Sequence, residues 1–107
     1  MLPTPRSTSE EVEQEAGRVV SRLGTLSPTR VPVDVVRGAV QRLADLARTA
    51  EGLAPLPVPD LAPHGWVSLL RVVLADLLAA HRNGTPADDD LLARARDELV
   101  HLRRALP

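Results

Sequence analysis

The chain lacks cysteine, isoleucine, phenylalanine, tyrosine and lysine, and its one aromatic residue is Trp66. Without cysteine there is no disulfide, no thiolate nucleophile, no iron–sulfur cluster and no Cys-type zinc finger. One aromatic side chain cannot build the stacking platform that single-stranded nucleic acid binding generally uses. The formal net charge is −1, so no excess of positive charge draws the chain onto DNA or RNA. No nucleic-acid partner is therefore expected. The most apolar stretch, 66–80, is interrupted by Ser68, Arg71 and Asp76. It is too short and too charged to span a bilayer, and no membrane association is expected. The N-terminal Met1-Leu2-Pro3-Thr4-Pro5-Arg6 lacks the basic and apolar regions of a signal peptide, so a cytoplasmic location is expected.

What is present is a narrow alphabet. Of 107 residues, 18 are Leu, 14 Ala and 13 Val, and all 13 basic residues are Arg. That bias matches GC-rich bacterial codon usage. The length suits one domain, and an apolar fraction of 44% supports a packed core. Residues 1–7 are expected to form a disordered tail and 8–107 a single helical domain.

Four helical segments follow from periodicity and punctuation. Ser7 with Glu10, or Thr8 with Glu11, has capping-box spacing. Val12, Ala16, Val19, Leu23 and Leu26 then step by 4, 3, 4 and 3, a narrow coiled-coil-like seam. Gly24 and Ser27-Pro28 mark its end. Pro32 is placed to open a second helix. Its stripe runs Val33, Val36, Val40, Leu43, Ala47 and Ala50, broadened by Val35, Ala39 and Leu46. Arg37, Gln41, Asp45 and Arg48 form the opposite face, and Gly52 is the stop.

Residues 53–65 form a linker with four prolines in nine positions, which favours an extended path. Leu53, Leu56, Val58 and Leu61 give it an apolar side. The linker is expected to lie across the bundle and cover a hydrophobic groove, and its length lets helices 2 and 3 run parallel or lie apart. The third helix, from about Gly65 to Arg82, is apolar on nearly all sides. Asn83-Gly84 stops it, and Thr85-Pro86-Ala87-Asp88 opens the fourth. There Leu92, Ala95, Leu99, Leu102 and Leu106 form the seam. Asp90–Arg94 and Arg94–Glu98 have i,i+4 spacing. The fold class is all-α, a four-helix bundle with a Pro-rich crossover between helices 2 and 3.

Few constellations could carry chemistry. Glu98-Leu99-Val100-His101 has the Glu-x-x-His spacing of di-iron bundles. At 100° per residue, however, His101 falls opposite Leu92 and Leu99, on the outer face with Arg94 and Asp97. No metal site is expected. In helix 3 the wheel places Asp76 among Leu69, Val72, Val73 and Ala80, and His81 among Val67, Leu70, Leu74 and Leu77. A buried carboxylate needs a partner, so Asp76 is expected to meet an Arg of a neighbouring helix. It could alternatively serve as a general base or half of a binding site. Trp66 either plugs the end of the core or anchors an interface. There is no phosphate-binding Gly-rich loop, no Gly-x-Ser-x-Gly elbow and no Asp-Ser-Leu attachment sequence.

The functional expectation is a small helical interaction module: an adaptor, an accessory subunit or a homo-oligomer, with no catalytic residues or cofactor of its own. Its partner is a protein or a second copy of itself, a homodimer being the simplest case. The candidate binding residues are Trp66, Leu70, Leu74, Asp76 and His81. The alternative is a small apolar ligand held between helices near Asp76 and His81.

Overall fold

The computed structural model describes residues 7–62, 64–82 and 88–107, with 88 and 89 described by their backbone alone. Four α-helices occupy most of it: α1 (Thr8–Thr25), α2 (Val33–Ala50), α3 (Gly65–Arg82) and α4 (Asp88–Ala105). One 3₁₀ turn (Pro28–Arg30) joins α1 to α2. The expected caps of α4 at 85–87 and the stop at 83–84 lie outside the described residues.

The helix ends follow local chemistry. Ser7 sits in extended backbone and its side chain accepts the Glu10 N–H, so this residue of the expected tail is the N-cap of α1. At the other end of α2, Gly52 takes φ +74°. The Gly52 N–H donates to Thr49 O and the Leu53 N–H to Arg48 O, the Schellman pattern that a glycine in left-handed backbone permits. Two boundaries differ from expectation by about a residue. Gly24 stays inside α1, and Pro32 is the N-cap of α2 rather than its first helical residue.

Helix directions follow from the side chains that meet. Glu11 contacts Arg96, Glu15 contacts Arg103, and Arg22 donates to the Pro107 carbonyl. Numbers rise together along both helices, so α1 and α4 are parallel. The linker runs the other way along α2. Arg48 donates to Ala54 O, Gln41 holds the backbone at Leu56 and Val58, and Arg37 pairs with Asp60. The chain is thereby carried back to the start of α2, where Arg37 lies over the Trp66 ring, 5.9 Å from its centroid. Helix α3 then runs beside α2 in the same direction. The 13 prolyl-rich residues thus serve a parallel, adjacent pair. The expectation of parallel helices holds, and the option of helices lying apart does not.

Helix α1 packs mainly on α4 and α2 mainly on α3; α2 and α4 join the two pairs, and α1 packs on α3 more thinly. Val12, Val19, Val36, Leu43, Trp66, Leu70, Leu92 and Leu99 are among the fully enclosed residues of one continuous core. Each such aliphatic side chain contributes about 1.5–3 kcal/mol relative to an exposed one. Two stripes deviate from the seams read from sequence. In α1 the buried ridge is Val12, Glu15, Val19 and Leu23, with Ala16 only half-buried. In α2, Val35 is 43% exposed, and the polar side of Arg37, Gln41, Asp45 and Arg48 is half-buried because the linker covers it.

The linker is held by polar contacts more than by apolar ones. Gln41 is the clamp: its amide donates to Leu56 O at 2.9 Å and its carbonyl accepts the Val58 N–H at 2.8 Å. Val58 and Leu61 pack on the core, whereas Leu53 and Leu56 remain 46% and 55% exposed.

Candidate functional site

The sequence-derived candidates do not form one site. Trp66 and Leu70 are fully enclosed and Leu74 nearly so. Trp66 therefore belongs to the core, capped by the Arg37 guanidinium. Its indole N–H has no acceptor among the described residues, which costs about 1–3 kcal/mol and is outweighed by the burial of the ring. His81 is half-buried near the C-terminal end of α3.

Asp76 corrects the wheel argument. It is exposed and forms no ion pair among the described residues. The cause is geometric. Helix α3 is not enclosed all round; Ser68, Arg71, Val72, Ala75 and Asp76 make one solvent-facing stripe. Val72, which the helical wheel sets beside Asp76, is itself 56% exposed.

Three flanks of the bundle can be compared. On the α1–α4 flank, Glu15 is 9% exposed and accepts from Arg18 at 2.8 Å and Arg103 at 2.9 Å. One turn earlier Arg96 donates to Glu11 at 2.7 Å. That hydrogen bond raises the Arg96 guanidinium above its ordinary pKa, against the opposing effect of desolvation, and the charges of Glu11 and Asp97 add to it. Two glutamates of α1, Glu11 and Glu15, thus bind α4.

The α2–α4 flank is a mixed-charge cleft of ≈ 410 Å³, lined by Arg42, Asp45, Leu46, Arg94, Asp97, Glu98 and His101. Its charges are largely spoken for. Arg42 pairs with Glu98 at 2.8 Å, Asp45 accepts from Gln41, and Arg94 pairs with Asp90. The Asp90–Arg94 pair agrees with the spacing, while Glu98 takes Arg42 in place of Arg94. His101 is exposed, on the outer face as its position requires. Among the described residues no group of three His, Cys, Asp or Glu could hold a metal.

The α1–α3 flank differs in kind. A groove of ≈ 360 Å³ runs between the two helices. Ala16, Gly17 and Val20 form one wall, and Leu74, Ala75 and Leu78 form the other; Glu13 and Arg71 complete it. Gly17 and Ala75 are exposed, Ala16, Val20 and Leu78 half-buried. A Cβ on Gly17 would meet nothing within 4 Å, so the α1 wall is low. Near the linker end, Leu23, Gly24 and Leu26 of the α1 terminus come together with His64 and Val67 around a smaller cleft. The C-terminal end of α1 therefore lies beside the start of α3, and the two helices are antiparallel.

Of the sequence-derived candidates, only Leu74 reaches this groove. Apart from Leu74 and the seam residue Ala16, the groove residues were not singled out from sequence, yet the groove positions share a regular spacing. Positions 13, 16, 17 and 20 in α1, and 71, 74, 75 and 78 in α3, are each spaced i, i+3, i+4, i+7. Each is a second helical stripe beside the principal seam.

No helix is long and apolar enough to cross a membrane among the described residues. No protein-family model, curated protein or solved structure matches the chain.

Proposed function

We propose that the chain is a helical interaction module whose docking face is the α1–α3 groove. One contrast carries this reading. Ion pairs tie the α1–α4 flank and hold the charges that line the α2–α4 cleft, and the linker covers the outer side of α2, whereas the α1–α3 groove is apolar and its two charged residues have no ion pair among the described residues. Exposed apolar surface that is contiguous and bordered by charge is what protein partners cover. Catalysis has no comparable support: the cleft richest in titratable groups, between α2 and α4, holds them largely in mutual pairs. The alternative of a ligand near Asp76 and His81 gains nothing from an Asp76 that faces solvent.

Photocrosslinking tests the docking face. A benzophenone side chain replacing Ala75, in the cells the chain comes from, is expected to give one adduct of defined mass. The same group at Arg104, exposed on α4, is expected to give none, and Val20→Glu is expected to abolish the adduct from position 75. Equal adducts from both positions, or none from position 75, would overturn the reading.

A further inference from the structure

We infer that the occupant of the α1–α3 groove is a second copy of this chain, docked so that Glu13 of each copy meets Arg71 of the other. The inference rests on the docking face proposed above and adds its partner. It starts from where the two charges sit. Because α1 and α3 are antiparallel, Glu13 and Leu78 lie at one end of the groove, and Val20 and Arg71 at the other. Glu13 and Arg71 thus occupy diagonally opposite corners of an apolar floor made by Ala16, Gly17, Leu74 and Ala75.

The dimensions make that floor nearly square. Seven residues of helix rise about 10 Å, the separation of Glu13 from Val20 and of Arg71 from Leu78. Neighbouring helix axes lie about 8–10 Å apart. A two-fold axis lying in the plane of this face, along the diagonal that joins the other two corners, exchanges Glu13 with Arg71. One operation therefore sets both acids on both bases and presses the two apolar floors together. Two-fold pairing of one surface with itself is the commonest route to an oligomer. Opposite charges at its corners fix the register and disfavour other orientations.

Both groups are free to take part. Each is exposed, and neither forms an ion pair within the chain among the described residues. The glutamates on either side of Glu13 are differently placed: Glu11 and Glu15 already bind α4. The floor is also low. An α1 wall of Ala16 and Gly17 lets a second backbone approach closely, and Val72, beside the groove on α3, remains 56% exposed.

Charge reversal with sedimentation equilibrium decides the matter. The wild-type protein at micromolar concentration is expected to sediment at twice its 11.5 kDa chain mass. Glu13→Arg and Arg71→Glu each turn two attractions into two repulsions, and each is expected to weaken the dimer by about tenfold or more. The double variant restores opposite charges at both corners and is expected to recover most of the loss. Both positions are exposed, so circular dichroism melting should show all three variants folded. A wild type at chain mass throughout the concentration range would overturn the inference, as would a double variant no better than the singles. If the benzophenone at position 75 then yields an adduct with a different protein, the docking face stands and only its occupant changes. If it yields none, the docking face fails as well.

Discussion

Helix α1 has two working sides, and they follow opposite rules. Toward α4 it presents Glu11 and Glu15, and α4 answers with Arg96 and Arg103. Toward α3 it presents Ala16, Gly17 and Val20, and little closes over them. Parallel helices such as α1 and α4 set like dipole ends side by side. Cross-helix ion pairs offset that cost and fix the stagger, because Glu11–Arg96 and Glu15–Arg103 can both form in only one register. The α1–α3 side needs no such register in the monomer. Its small side chains leave room, and its charges stand at the corners instead of crossing the seam.

The contrast breaks most directly at Glu15. Its carboxylate is nearly enclosed and bridges two guanidinium groups, so Glu15→Ala removes both bonds and leaves Arg103, 35% exposed, against the core edge. A loss of about 2 kcal/mol is expected, read as a lower denaturation midpoint in urea. An unchanged midpoint would mean that the α1–α4 flank is held by its apolar ridge alone. Gln41→Ala probes the other polar seam. It removes two linker hydrogen bonds, and about 1–2 kcal/mol is expected. Amide exchange at Val58, whose N–H the Gln41 carbonyl accepts, should accelerate more than exchange in the middle of α2.

The opposite sign is expected on the open side. Gly17 lies inside α1, where glycine costs about 0.5–1 kcal/mol relative to alanine. A Cβ there meets nothing within 4 Å, so Gly17→Ala should raise the melting temperature of the monomeric charge-reversal variant Arg71→Glu. A fall would show that the α1 wall is packed more closely than the groove implies.

The four helices were legible because their signals are local. Ser7 and Gly52 punctuate, and the 3–4 stepping of Val36, Val40, Leu43 and Ala47 depends on nothing outside α2. The parallel pairing was half legible, since a linker long enough to return was visible but its anchor was not. Gln41 reads as one more polar residue on a solvent face until the backbone at 56–58 is laid against it. The groove was less legible still. A count of apolar residues gives α3 no solvent side, yet with 18 residues and only two close neighbours a helix must expose one. Which side is exposed depends on where α1 and α2 lie, and no periodicity within α3 states that.

Asp76 is the place where that ambiguity can be measured at the smallest expected effect. If α3 were enclosed on all sides, Asp76 would be a buried carboxylate, and losing it would cost several kcal/mol through the partner left behind. On the exposed stripe it has no partner to strand. Alanine is also the better helix former within α3. Asp76→Ala is therefore expected to change stability by no more than about 0.5 kcal/mol, with any change favouring the variant. Thermal melts of the two proteins should superimpose or shift slightly upward. A large downward shift would put Asp76 back inside, close the solvent side of α3, and with it remove the α3 wall of the groove.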